Sequence, residues 1–477
     1  MTDEEIKKAR MSGSDLKEEE LKEAITFTAE LKRYIEVMIM IPGAEEEEAS
    51  DPAEFRKKYG LSRDYKEDAK FFLDPETSQK LNSVTEEEYL KTVTFPAFRY
   101  AQFIGNKLYF REQMRTKVCV PDNEELKKWR DRQMNRCLST AGTASYANIL
   151  TPCVIELSEG CSVGCEFCAV GAEKLKRVFR YTENNARLFN EVLNVMHDIL
   201  GQSAYSGALY YCCEPLDNPD YEKFSEVFYN RSGRQPQVTT AVALRDIDRT
   251  HRLLKDLESK PSTIYRFSVL SKEQAEQIFA EFDPVELMRV ELIPQYPEAS
   301  MFKGFASAGR ARENDYYTDS KAYESICCIT GFVINMPAKT VRMIVPVSAS
   351  DEYPTGEIIF DIRQFTDAAD LRAIVNDMIS RNINNKLPRD KNLKFYDYVS
   401  LREDKEHGTV LCVPGYQKYL DSVFNGSGKY TAEFLLEGKH KASEIVSEVT
   451  DLYHTDPVDV YSSLYYFWKE GLIDEFQ

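Results

Sequence analysis

The chain has 477 residues, 43% of them hydrophobic and 12% aromatic, which is enough apolar surface to fold most of the chain into roughly two to four domains. Lys and Arg number 61 against 79 Asp and Glu, a formal charge of −18, which repels phosphate backbones and anionic lipids, so neither nucleic acid nor a membrane is an expected partner. The first residues, Met-Thr-Asp-Glu-Glu-Ile, lack the apolar core of a secretory signal. The eleven Cys therefore suggest reduced thiols with metal or redox uses in a cytoplasmic protein, not a disulfide frame.

Residues 1–145 read as a charge-rich helical accessory region, with turns at Pro42-Gly43 and Asp51-Pro52. From Cys153 to Leu292 short β-rich runs alternate with helices. Strands are predicted at Val154 to Leu157, Ala208 to Cys212, Val238 to Ala243, Ile264 to Leu270 and Met288 to Ile293. Between them, one helix starts at the cap Thr182 and stops at Gly201, and another covers Asp246 to Leu257. Repeated βα units of this kind fit an α/β fold, a partial (β/α)6 TIM-like barrel over residues 146–384 with its chemistry at the C-terminal strand ends.

A hairpin is predicted from Ile326 to Asn335 with Thr340 to Pro346, extending the barrel. A polar stretch, Asn382 to Asn392, leads into a last α+β unit over residues 385–477, with strand-like runs Phe395 to Leu401 and Thr409 to Val413. Its final helix has Asp456 as cap and Pro457 in the first turn, with Val460, Leu464 and Phe467 facing inward.

The run Glu156-Leu-Ser-Glu-Gly-Cys161-Ser-Val-Gly-Cys165-Glu-Phe-Cys168 places three thiols just after the first strand, with Gly160 and Gly164 free to curl the loop. Soft thiolates suit iron–sulfur clusters, and three ligands on a four-iron cube leave one iron open. A structural zinc site needs a fourth Cys or His, and Ala169 to Arg180 holds neither. This run resembles the CxxxCx(aromatic)C signature of the radical S-adenosylmethionine (SAM) superfamily. The resemblance implies a [4Fe-4S] cluster on Cys161, Cys165 and Cys168, SAM on the open iron with Phe167 beside it, and an external one-electron reductant such as flavodoxin or ferredoxin. It also implies that Glu214, in Tyr211-Cys-Cys-Glu214-Pro215, meets the SAM amino group and that Ser268 meets the ribose. A solvated or helix-capping Glu214 and a packed Ser268 are the alternatives.

The segments Glu214-Pro-Leu-Asp-Asn-Pro-Asp-Tyr221, Val238 to Asp246, Arg266 to Ser271 and Cys328-Ile-Thr-Gly-Phe-Val-Ile-Asn-Met336 resemble radical SAM epimerases that mature ribosomally made peptides. With the cysteine loop, the likeness covers about residues 130 to 380. It implies removal of the α-hydrogen of an L-residue and return of hydrogen to the opposite face by a thiol, here Cys328 with Cys327 as its neighbour, and Cys213 and Cys412 in reserve. Packing is the other role open to a Cys pair in a strand. At Ile344-Val-Pro-Val347 the family pattern allows another Cys, and here the chain offers Val347. The last unit is similar to the leader-peptide recognition element of such enzymes, which binds its precursor as an added strand. A winged-helix DNA reader or a dimerisation unit is the alternative there. Two further readings stand beside epimerisation: peptide crosslinking or backbone excision, and a non-catalytic iron–sulfur chaperone of a precursor peptide.

Overall fold

The computed structural model describes residues 1–2, 5–6, 17–81, 83–141, 150–260, 262, 264–302, 308–313 and 328–476. Helices of ten or more residues are numbered here. The first part is helical: α1 (Glu18–Met40), α2 (Phe95–Gln113) and α3 (Glu124–Ala141), with five shorter helices between Ala44 and Thr92 among the described residues. Leu31, Val37, Phe55 and Trp129 from this region share one buried core with Phe267, Ile278 and Phe332 of the α/β part. The helical region is therefore built into the body by burial, not appended to it.

The α/β part contains β1 (Thr151–Glu156), β2 (Ser158–Glu159), β3 (Arg177–Val178), α4 (Glu183–Leu200), α5 (Tyr221–Ser232), β4 (Val238–Thr240), α6 (Ile247–Ser259), β5 (Tyr265–Val269), α7 (Lys272–Glu281) and β6 (Glu291–Pro294). It continues with β7 (Ile329–Asn335), β8 (Thr340–Pro346), β9 (Glu357–Gln364) and α8 (Ala368–Asn382). Strands β4, β5 and β6 form one parallel sheet. Strand β1 pairs in parallel with β7, which continues antiparallel into β8 and β9.

The two sheets are linked by a narrow join: the Ile155 amide donates to the Ala208 carbonyl at 3.1 Å, and the Gln237 amide to the Gly207 carbonyl at 3.3 Å. The strand expected from Ala208 to Cys212 is reduced to this single bridge at Ala208. Gly207 runs so close to β1 that a Cβ there would lie 2.1 Å from the Cys153 carbonyl oxygen. Beyond it the Cys212 amide leaves the ladder and donates to the Glu156 carboxylate at 2.7 Å. The architecture is thus mixed α/β, and the described strands form several small sheets without closing a barrel.

Local chemistry accounts for the helix ends. Thr182 accepts the Asn185 amide at 3.3 Å to start α4, which ends at Gly201 with φ +64°. Asp246 caps α6 through the Arg249 amide at 2.9 Å. Helix α2 covers the N-terminal ends of β5 and β6: Lys107 and Arg111 pair with Glu291, which Arg266 of β5 also meets at 2.7 Å. Burial pushes the Glu291 carboxyl up, but Arg266, Lys107 and Arg111 outweigh it and hold it down at about 2.

The final unit has its own core, from Leu387 through Phe395, Leu411, Ile445 and Phe467 to Ile473. Strands β10 (Ser400–Asp404), β11 (Gly408–Val413) and β12 (Tyr416–Tyr419) make an antiparallel sheet, followed by α9 (Ser427–Glu437), α10 (Ala442–Tyr453) and α11 (Pro457–Lys469). The expected strand at Phe395 to Leu401 is displaced onto Ser400–Asp404, because the Phe395 amide donates to Leu435 and the Tyr396 amide to Leu472, lacing that segment to the helices. Helix α3 docks this unit through Arg132, whose guanidinium donates to Glu475 at 2.7 Å and lies 4.3 Å from the Trp468 ring centroid. No described helix is long and apolar enough to cross a membrane.

Candidate metal centre

Cys161 leaves β1 through β2 and is fixed on both backbone sides: its amide donates to the Glu173 carbonyl at 2.8 Å, and its carbonyl accepts the Leu175 amide at 3.0 Å. Gly160 permits this approach, since φ is +80° and a Cβ would lie 2.3 Å from the Lys174 carbonyl oxygen. Gly164 also takes positive φ, +68°. The loop is compact: the Cys168 amide donates to the Cys165 carbonyl at 3.3 Å, and the Gly171 amide to the Cys168 carbonyl at 3.1 Å.

All three thiols are half-buried, as is Phe167. The Val163 amide points at the Cys161 sulfur and the Ala172 amide at the Cys168 sulfur, each at 3.4 Å. Burial, reinforced by Cys161 and Cys168, pushes the Cys165 thiol up to about 11. Burial also raises Cys161, against backbone hydrogen bonds from Val163 and Gly164. Among the described residues no three Cys, His, Asp or Glu side chains converge on one metal-ion position, so the thiols share a loop without being drawn to a point. The donor set fits a cluster: three soft ligands in electrostatic reach of one another, with amide donors already aimed at two sulfurs.

Glu214 lies beside this loop, close enough to act on both Cys161 and Cys165. It is only 4% exposed. One carboxylate oxygen accepts the Leu216 amide at 3.1 Å and the Thr240 hydroxyl at 2.7 Å, and the other accepts the Ala241 amide at 3.0 Å. Burial raises its pKa against those three donors. The capping role weighed for Glu214 is therefore real, and it coexists with a position next to the thiols. Ser268 is buried near the end of β5, level with Ile293 of β6.

Cys328 is placed differently from the expectation of a thiol at the same mouth as the cluster loop. Its carbonyl accepts the Thr151 amide at 2.9 Å, at the start of the β1–β7 pair. Cys161 follows the other end, where Glu156 pairs with Asn335. The five residue steps of β1 put the two ends of the pair roughly 17 Å apart. The parallel register of β1 and β7 forces this, since residues entering one strand lie beside residues entering the other. Burial raises the Cys328 thiol against the pull of Arg266. Cys327 lies outside the described residues.

Three features near the loop escaped the sequence. The Ser162 amide and hydroxyl donate to Asp217 at 2.8 and 2.5 Å, and Arg245 holds both partners at 2.7 Å. Buried Glu156, at the end of β1, accepts from Asn335 and faces Arg342 at 3.8 Å; Arg342 lies 3.5 Å from Glu357 and 3.8 Å from the Cys212 sulfur. Arg310 donates to the Cys165 and Ala172 carbonyls at 2.6 and 2.7 Å. None has a local motif: each partner arrives from a distant segment.

No family model matches the chain, and no solved structure does. It is 34% identical over 290 residues to an uncharacterized protein, y4wI, of Sinorhizobium fredii (strain NBRC 101917 / NGR234), covering 58% of this chain. The chain spans about half, 56%, of that relative's length.

Proposed function

We propose that the chain is a radical SAM enzyme that converts L-residues of a ribosomally made precursor peptide to D-residues in the cytoplasm. One observation carries this reading: the loop of Cys161, Cys165 and Cys168, pinned at the end of a parallel strand with buried Glu214 beside it. In this reading the three thiols hold a [4Fe-4S] cluster, Glu214 holds the SAM amino group, and the parallel strands serve as a partial (β/α)6 barrel. When bound and reduced by one electron, SAM supplies a 5′-deoxyadenosyl radical able to take the α-hydrogen.

The residues then divide the work by position. Inversion needs hydrogen taken from one side of the α-carbon and returned from the other. This reading gives the first role to the cysteine loop and the second to Cys328, although they stand at opposite ends of the β1–β7 pair and both groups must reach the same carbon. Burial keeps Cys328 a neutral thiol, the form that can give a hydrogen atom. The last unit supplies an edge strand, β12, on which Tyr419 is exposed; β12 meets α11 through Lys418 and Tyr466, and α11 also exposes Val458, Tyr461 and Tyr465. An extended leader peptide fits such an edge, with backbone hydrogen bonds for affinity and aromatic rings for side chains.

The test is anaerobic turnover with reductant, SAM and precursor in deuterium oxide. Epimerisation yields 5′-deoxyadenosine and one deuterium at each inverted α-carbon. A mass change other than one deuterium per inverted residue would indicate crosslinking or backbone excision instead, and absence of 5′-deoxyadenosine would indicate a cluster-bearing chaperone. Conversion without label would refute hydrogen return from an exchangeable thiol.

A further inference from the structure

The cysteine loop is gripped from outside by a short segment, Ala308 to Glu313, that arrives from far along the chain. Arg310 is 145 residues from Cys165, yet its guanidinium donates to the Cys165 carbonyl at 2.6 Å and to the Ala172 carbonyl at 2.7 Å. Its own amide donates to the Cys168 carbonyl at 2.9 Å. One residue thus holds the loop at three carbonyls, two of them belonging to expected ligands. Gly309 allows this contact: its φ is +56°, and a Cβ would lie 2.3 Å from the Ala169 carbonyl oxygen and 2.7 Å from that of Cys168. No larger residue fits there without moving the loop backbone.

The segment is itself anchored. The Gly309 amide donates to the Pro354 carbonyl at 2.6 Å, and Arg312 donates to the Ser350 carbonyl at 2.6 Å and pairs with Asp351 at 2.9 Å. Arg310 therefore acts from a fixed base, and its planar fork matches two carbonyls in a way a lysine ammonium cannot.

We infer that Arg310 is a positioning residue for the iron–sulfur cluster, setting the shape of the cysteine loop through two carbonyls and placing a permanent positive charge against the backbone of the loop that carries the three thiols. This rests on the radical SAM reading above. Groups that orient metal ligands from behind typically govern affinity 10- to 100-fold. Charge and hydrogen bonding around a cluster also set its reduction potential. A fixed cation favours the reduced, more negative cluster, so its loss moves the midpoint to more negative values.

The experiment compares reconstituted full-length protein with Arg310→Gln, Arg310→Lys and Arg312→Gln, each checked for native circular dichroism. Three quantities are read: iron and sulfide per chain, the rate of iron loss to a ferrous chelator, and the midpoint and spectrum of the reduced cluster by electron paramagnetic resonance. Arg310→Gln should lose iron roughly 10- to 100-fold faster, with a more negative midpoint. Arg310→Lys should keep the midpoint near the wild type while losing iron faster, and Arg312→Gln, which loosens the anchor but leaves the Arg310 charge and fork in place, should keep the midpoint and lose iron more slowly than Arg310→Gln does. If Arg310→Gln holds iron as tightly as the wild type with an unmoved midpoint, or if Arg312→Gln fails equally, the inference is overturned. Wild-type protein that holds no cluster would instead refute the underlying reading, and this inference with it.

Discussion

The carbonyl of Cys328 accepts the amide of Thr151 at 2.9 Å, which fixes Cys328 at the entry of the β1–β7 pair while Cys161 follows the exit. Under the proposed function, the chain carries a cluster loop at one end of this pair and the half-buried Cys328 at the other.

Cys328→Ala should therefore separate two activities. The variant keeps SAM cleavage, measured as 5′-deoxyadenosine, but loses D-residue formation, measured by chiral amino-acid analysis of the peptide. Wild-type epimerisation in the variant would move the donor role elsewhere, with Cys212 and Cys213 next to be replaced.

Glu214→Gln keeps the size of the side chain and one oxygen for the Leu216 amide and Thr240 hydroxyl, but removes the charge and the acceptor of the Ala241 amide. A hydrogen bond to a charged group contributes about 1.5–3 kcal/mol, so SAM affinity should fall roughly tenfold or more. Cluster iron content should stay unchanged. Equal SAM affinity in titrations of the two proteins would leave Glu214 a capping residue only.

Glu291 carries the contact between α2 and the parallel sheet. Glu291→Gln leaves Arg266, Lys107 and Arg111 facing one another without their carboxylate, at a cost of about 3–5 kcal/mol by analogy with other broken buried pairs. The pH dependence follows from the same group. Its folded pKa is depressed to about 2, so its contribution is present above the unfolded value near 4.5 and is lost as pH falls from there toward 2. Denaturant melts of cluster-free protein across that window should show a loss in the wild type that is smaller in Glu291→Gln.

Tyr461 and Tyr465 stand 45% and 46% exposed on α11. If the edge beside them takes the leader peptide, replacing both by Ala should weaken precursor binding at least tenfold, which corresponds to about 1.4 kcal/mol. SAM cleavage without peptide should be unaffected. Unchanged peptide affinity by calorimetry would place leader recognition elsewhere.

Much of this arrangement was legible where chemistry is local. The caps at Thr182, Asp246 and Asp456 start helices where the sequence puts them, because each cap is settled within a few residues. The spacing of Cys161, Cys165 and Cys168 and the glycines between them marked the loop for the same reason. Long-range pairing was not legible. Cys328 was expected at the cluster mouth because strand alternation predicts which face a residue takes, but not which end of a parallel pair it occupies. The run from Ala208 to Cys212 has strand composition, yet the close approach of Gly207 and the side-chain bond of Glu156 to the Cys212 amide end its pairing after one bridge. The grip of Arg310 on the cysteine loop depends on a return of the chain that no spacing records.

The most direct measurement is iron and acid-labile sulfide per chain after anaerobic reconstitution, for the wild type and for the variant with Cys161, Cys165 and Cys168 all replaced by Ala. The expected result is a complete four-iron, four-sulfide cluster in the wild type and none in the triple variant. A wild type without that cluster, or a triple variant that retains it, would contradict the assignment of these three thiols.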